Sequence, residues 1–279
     1  MFKIIKRLLP RSKQPIRIYW WRYDVSENGN FGDEITRLII RRVFRRDCLW
    51  TPMESCELIG AGSLLQDVVD SEGNNNPYIW GTGFIEEGDK KISGERFRIT
   101  GVRGKLSSMR VTDCSAPLFF GDPGLLASRA VTQAVKRYKI GIVPHYVDST
   151  NEMVGFIQSL AKHVDDIVII DATADCEKVV KQISSCEAIL SSSLHGLIVA
   201  DSYKIPNAHL ILSSSVRGGA YKFLDYLSVF PDREYKPVSV DCIKKCGNVD
   251  ELLSLVRGSY TPPKNLRTIQ QSIINGFPF

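Results

Sequence analysis

Short apolar runs alternate with glycine-bearing polar turns and amphipathic stretches along most of this chain. Residues 16–21 form the first apolar run, and Asn28–Gly29–Asn30–Phe31–Gly32–Asp33 follows with strong turn chemistry. A helix is predicted over 34–45, because Ile35, Leu38, Ile39 and Val43 recur at helical spacing. Leu58–Ile59–Gly60–Ala61–Gly62–Ser63 reads as a strand entering a glycine loop, and Tyr78–Ile79–Trp80–Gly81–Thr82–Gly83 repeats that form. A strand over 97–102 leads into Arg103–Gly104–Lys105 and a short helix, and Gly121–Asp122–Pro123–Gly124 closes this half. After a basic stretch, 129–139, strands are predicted at 140–143, 167–170 and 188–190. Helices are predicted between and after them at 152–162, 176–185 and 197–203. Two further helices, 250–257 and 266–275, follow, and the last is expected to return to the first half. Strands alternating with helices of this length predict parallel sheets. The fold class is therefore α/β, with two Rossmann-like domains, 1–132 and 133–279, facing a cleft.

One segment concentrates the chemistry: Ile189–Leu190–Ser191–Ser192–Ser193–Leu194–His195–Gly196–Leu197–Ile198–Val199–Ala200–Asp201. An apolar strand ends in three serines, and His195–Gly196 opens a second apolar run that reads as a helix. A histidine there lies at the carboxyl edge of an α/β sheet, where ligands bind in open sheets. Unpaired N–H groups at the helix start attract anions. His195 is thus a candidate proton-transfer group beside an anion site, with a polar turn cap as the plain alternative. His145 also follows a predicted strand and is a second candidate with Asp148. His209 reads as structural and His163 as solvated.

Composition narrows the class. At 279 residues the chain can form one large domain or two smaller ones. No run of eighteen apolar residues predicts a membrane span, and Lys3, Lys6, Arg7 and Arg11 interrupt the early apolar stretch, so no secretory leader is expected. Seven scattered cysteines, with Cys242 and Cys246 as the one close pair, predict reduced and mostly buried thiols without a zinc site. The net charge of +5 is concentrated in two places. Met1 to Tyr23 holds seven basic residues and no acidic one, and Arg37, Arg41, Arg42, Arg45 and Arg46 form a second block. A solvated face ranks first for this charge and an anionic membrane surface second. No nucleic-acid motif accompanies it.

Asn30–Phe31–Gly32–Asp33, Ile59–Gly60–Ala61–Gly62–Ser63, Trp80–Gly81–Thr82–Gly83–Phe84, Val102–Arg103–Gly104–Lys105, Gly121–Asp122–Pro123 and Ser192–Ser193–Leu194–His195–Gly196 occur in this order. Each is short, but the ordered set resembles the polysaccharide pyruvyl transferase family, especially its shorter bacterial exopolysaccharide and capsule members. The likeness runs from about Asn28 to about Tyr226. It implies a fold like the two-domain GT-B glycosyltransferases. It also implies transfer of pyruvate from phosphoenolpyruvate onto two sugar hydroxyls, giving a cyclic ketal and phosphate. On that resemblance the first half takes the acceptor and the second takes phosphoenolpyruvate as co-substrate, with no other cofactor and no metal.

That chemistry needs a proton donor for the methylene carbon, cations for carboxylate and phosphate, and a base for the sugar hydroxyl. His195 is the expected general acid. Asp33 is a candidate base or acceptor contact, with a helix N-cap as its plain alternative. Arg103 and Lys105 are expected to bind a carboxylate or phosphate of the substrate, with surface charge as the plain alternative until the resemblance favours binding by Arg103. Ser192, Ser193, Gly196, His145, Arg217 and Lys222 are expected to bind substrate as well. Gly62 and Gly83 are expected to let backbone approach a ligand. Asp122 before Pro123 shares the ambiguity of Asp33, and Glu86 and Glu87 read as solvated. Many family members carry an arginine directly before the Leu–His pair; here that position is Ser193, and Arg217 in a glycine-rich, mobile loop is expected to supply the missing charge. A cytoplasmic protein is expected, at the inner face of the membrane through its basic N-terminus, acting on a lipid-linked or nucleotide-linked glycan. A nucleotide-sugar glycosyltransferase and a non-catalytic glycan-assembly protein are the alternatives, since fold alone does not separate them.

Overall fold

A computed structural model describes residues 14–22, 30–73 and 75–279. The first sheet takes β1 (Ile16–Tyr19), β2 (Cys48–Trp50), β3 (Leu58–Ile59), β4 (Tyr78–Trp80), β6 (Arg98–Val102) and β8 (Phe119–Phe120), in the order β2-β1-β3-β4-β6-β8. A small pair, β5 (Ile92–Ser93) with β7 (Val111–Thr112), lies apart from it. The second sheet takes β9 (Tyr138–Val143), β10 (Ile167–Ile169), β11 (Cys186–Ser191), β12 (Asn207–Ile211) and β13 (Val238–Ser239), in the order β10-β9-β11-β12-β13. Every pairing is parallel. Both sheets are therefore doubly wound, and each reverses its strand order once: between β1 and β3, and between β9 and β11. This is the predicted α/β architecture of two Rossmann-like halves. The strands β2, β5, β7, β8, β12 and β13 had no sequence expectation; all but β12 are only two or three residues long, too short to show a period.

The helices follow local signals. Phe31–Arg42 starts earlier than predicted because Asn30, not Asp33, is its N-cap, its side chain accepting from the Gly32 N–H at 3.1 Å. Asp33 and Glu34 sit in its first turn and Arg41 and Arg42 in its last, as the helix dipole favours. Leu194–Ser202 has no polar face, and all nine of its residues are buried. It lies on β11 and also meets Phe31–Arg42 of the first half.

One apolar core runs through both halves. Phe31, Ile35 and Ile39 pack in the same cluster as Val179, Val180 and Ile183 of helix Cys176–Ser184 and Leu194, Leu197 and Ile198. Burying each such side chain contributes about 1.5–3 kcal/mol, so the two sheets share their stability. The last helix, Leu266–Asn275, crosses back to the first half. Trp80 Nε1 donates to the Ile273 carbonyl at 3.0 Å and Gln270 Nε2 to the Leu125 carbonyl at 2.8 Å.

All seven cysteines are free thiols; Cys56, Cys176 and Cys186 are buried, while Cys242 is exposed, so fewer are buried than the composition suggested. Among the described residues no helix is long and apolar enough to cross a membrane. The basic N-terminal stretch, 1–13, lies outside the described residues.

Candidate active site

The two points of strand reversal face each other. Beyond β1 comes Trp21, beyond β3 Ser63 and Leu64, beyond β9 His145, Tyr146 and Val147, and beyond β11 Ser193, Leu194 and His195. All of them line one cleft of about 240 Å³, together with Asn30, Asp33, Asp67, Ile85, Ser215, Arg217 and Lys222. Trp21 from the first half stacks on Tyr146 from the second, with centroids 6.3 Å apart and planes 16° apart. A cleft outside the carboxyl ends at the reversal point is where doubly wound sheets hold ligands.

Lys222 is the buried cation of this cleft. It lies in helix Tyr221–Leu227, is 6% exposed, and makes no side-chain ion pair or hydrogen bond among the described residues. Burial pushes its ammonium down to about 8, with Arg103 adding repulsion and Asp33 and Asp148 opposing. A buried, unpaired ammonium is costly unless an anion joins it.

Asp33 stands in the first turn of its helix, half-buried and lining the cleft. Burial pushes its carboxyl up to about 6, against the pull of His195 and Lys222. His145 also lines the cleft. Burial and the neighbouring Lys222 push its imidazole down to about 4, and its Nδ1 accepts from the Val147 N–H at 3.4 Å. It is thus a neutral acceptor at physiological pH. Asp148 beside it is buried off the cleft, with Oδ1 accepting from Ser213 Oγ at 2.6 Å.

His195 is 7% exposed, at the start of its helix. Among the described residues its enclosed Nε2 has no hydrogen-bond partner, and it faces Asp122 Oδ2 at 3.7 Å. Gly32 presses on the other edge of the ring: a Cβ there would lie 2.2 Å from Nδ1. The Phe31 ring stands edge-on, with centroids 6.4 Å apart.

Several expected contacts are replaced by structural ones. Arg103 is fully enclosed and does not reach the cleft. Its Nε donates to Asp225 Oδ2 at 2.9 Å, one terminal nitrogen to Ser63 Oγ at 2.6 Å, and the other to the Phe84 carbonyl. Every edge of the guanidinium is occupied by protein, so it holds the glycine loops and the second half together. Gly83 makes room for it, since a Cβ there would lie 2.5 Å from Arg103 Cζ. Gly62 has φ +109 and offers its carbonyl to Thr82 Oγ1 and the Gly83 N–H. Neither glycine lines the cleft. Lys105 is exposed outside it. Ser192 is buried, its Oγ accepting from the His145 N–H at 2.8 Å. Gly196 makes room for Ser191, whose Oγ would lie 2.2 Å from an added Cβ.

Ser193 lines the cleft as the N-cap position, without a side-chain cap bond. Arg217 lines it too, but pairs with Glu86 of the first half at 2.8 Å. Glu86 is therefore not merely solvated, and this pair seats the glycine loop across the cleft. Gly218 abuts the Ile85 carbonyl there, where an added Cβ would lie 2.0 Å from the oxygen, so the loop expected to be mobile contacts the first half. Asp67, Trp21 and Tyr146 carried no sequence signal, because only the meeting of the two halves places them. His209 is structural as expected, stacked on Phe223 at 3.6 Å and bonded to Tyr235.

A buried ammonium, an enclosed imidazole and a half-buried carboxylate share one cleft between two doubly wound parallel sheets, the architecture of an α/β ligand-binding protein. The polysaccharide pyruvyl transferase family model matches residues 3–214, and the chain belongs to that family. It is 30% identical over 235 residues to uncharacterized protein L143 of Acanthamoeba polyphaga mimivirus, covering 80% of this chain and 77% of that one. It is 25% identical over 221 residues to succinoglycan biosynthesis protein ExoV of Rhizobium meliloti (strain 1021), covering 75% of this chain and 63% of ExoV, just under two thirds. Among solved structures, the wall teichoic acid polymerase TagF superposes with a TM-score of 0.41 and 9% identity over 95% of this chain and 83% of that one.

Proposed function

We propose that this protein transfers the pyruvyl group of phosphoenolpyruvate onto two hydroxyls of a sugar in a surface-polysaccharide precursor, forming a cyclic ketal and releasing phosphate. The observation that carries the proposal is Lys222, a buried and unpaired cation opening into the same cleft as His195. Lys222 and the N–H groups at the start of helix Leu194–Ser202 take the anionic donor. His195 gives its proton to the methylene carbon, which makes the central carbon electrophilic. Asp33, held near a pKa of about 6, accepts the proton of the attacking hydroxyl. Oxygens that become more negative in the transition state are met by groups already held in place by the fold.

On this reading phosphoenolpyruvate is a co-substrate, and no further cofactor, metal or nucleic acid takes part. The acceptor is a lipid-linked or nucleotide-linked glycan in the cytoplasm, met at the inner face of the membrane. The test is phosphate release from phosphoenolpyruvate across a panel of such acceptors, with wild type and His195→Ala in parallel. Acceptor-dependent release that His195→Ala abolishes, while the variant still binds phosphoenolpyruvate, is expected. No binding of phosphoenolpyruvate and turnover of a nucleotide sugar instead would overturn the proposal.

A further inference from the structure

Three sequence motifs far apart in the chain converge on the His195 ring. Helix Leu194–Ser202 of the second half carries it, while Gly32, Phe31 and Asp122 of the first half enclose it. Asp122 is fully buried, with one oxygen committed: Oδ1 accepts from the Gly124 N–H at 2.8 Å and caps the turn Pro123–Leu126. Among the described residues its Oδ2 has no hydrogen-bond partner, and neither has His195 Nε2 opposite it. Two enclosed polar atoms, both unsatisfied and 3.7 Å apart, lie just beyond hydrogen-bond distance. A buried carboxylate oxygen left alone is costly, whereas one facing an N–H is not.

We infer that Asp122 is a positioning residue that keeps a proton on His195 Nε2 and thereby leaves Nδ1, the ring nitrogen beside Gly32 that is not sealed as Nε2 is, for proton transfer in the cleft that His195 lines. A carboxylate accepts and does not donate, so the neutral ring facing it carries its proton on Nε2. In the charged ring both nitrogens are protonated, and the Nδ1 proton is the one that leaves toward substrate. After transfer the ring is neutral with Nε2–H still turned to Asp122 Oδ2. The acid therefore sits on one half of the molecule and its tautomer is set by the other, so the acid is assembled only when the halves pack.

This inference rests on the proposed acid role of His195, but its first test does not need substrate. The ligand-free, full-length protein is labelled with ¹⁵N-histidine, and the tautomer of each ring is read from long-range ¹H–¹⁵N spectra above its titration. His195→Gln assigns the signal among the four histidines. Wild type is expected to carry its proton on Nε2. Asp122→Asn keeps an oxygen for the Gly124 cap and offers an amide N–H to the ring, so the proton is expected to move to Nδ1. Melting temperature and circular dichroism verify that the variant is folded, and if it is not, the wild-type tautomer alone decides. An Nδ1–H tautomer in wild type, or an unchanged tautomer in folded Asp122→Asn, would falsify the inference. In turnover, Asp122→Asn is expected to lower kcat by about a hundredfold or more with the donor KM within about threefold. If no acceptor supports turnover in wild type, the proposed function fails while the tautomer result still stands.

Discussion

Arg103 of the first half and Asp225 of the second meet in a fully enclosed ion pair, Nε to Oδ2 at 2.9 Å. Asp225 also accepts from the Ser107 N–H at 2.8 Å and from Ser107 Oγ at 2.7 Å. Gly104 makes this approach possible, because a Cβ there would lie 1.8 Å from the Asp225 carbonyl oxygen. The pair ties together three of the family-like motifs, those around Gly62, Gly83 and Arg103. The other three meet at His195. The molecule thus has two interdomain knots, one at the Arg103–Asp225 pair and one enclosing the His195 ring.

Removing one member of a buried pair leaves the other charge stranded, at a cost of about 3–5 kcal/mol. Arg103→Met should lower unfolding stability by that amount in urea titrations. The double variant Arg103→Met, Asp225→Leu should recover part of it. A single-variant loss below about 1 kcal/mol would show that the pair is not structural.

Lys222→Met should raise the donor KM by about ten- to a hundredfold, the range of a charge-assisted hydrogen bond. Its folding should not suffer. The folded ammonium titrates at about 8, below its ordinary 10.5, so between these values the unfolded chain binds more protons and wild-type stability rises with pH. Donor affinity moves the opposite way, falling as the ammonium deprotonates above about pH 8. Titration calorimetry with phosphoenolpyruvate from pH 6 to pH 9 checks this. A flat profile counts against Lys222 as the donor's cation.

Asp33→Asn separates function from stability. The folded carboxyl titrates at about 6 against an ordinary 3.8, so the folded state binds the extra proton between these values and wild-type stability falls as pH rises through them. The amide does not titrate. The variant should be more stable than wild type by about 1 kcal/mol at pH 7, once screening at the cleft mouth is allowed for. It should also lose about a hundredfold or more in kcat. Stability equal to wild type across pH 4–8 would show that the carboxyl is not strained by burial.

Gly32→Ala sets a methyl 2.2 Å from His195 Nδ1, so the ring or the helix must move. Overpacking of this kind costs about 1–3 kcal/mol. The expected outcome is a folded protein with modestly lowered melting temperature and kcat reduced far more than donor affinity. Full activity would mean that the imidazole can turn away from Gly32 and still act.

The sequence by itself determined the alternating α/β order, because strand and helix periods and the glycine turns are local properties of the chain. It also named His195, Asp33, His145, Ser193, Arg217 and Lys222, which the structure places along one cleft, Lys222 on the strength of the family resemblance and the others beside strand ends or glycine turns. It misplaced Arg103, Lys105, Gly62, Gly83, Ser192 and Gly196. A buried arginine and a ligand-binding arginine look alike until the carboxylate that neutralises one of them is found, here 122 residues away. A packing glycine and a ligand-approach glycine differ only in what stands opposite. Tertiary structure alone decided that the two points of strand reversal face each other. It brought Trp21 against Tyr146, and it set Asp122 beside His195. Those contacts join residues with no periodic relation in the chain, and only the shared apolar core of the two halves brings them within a few ångströms.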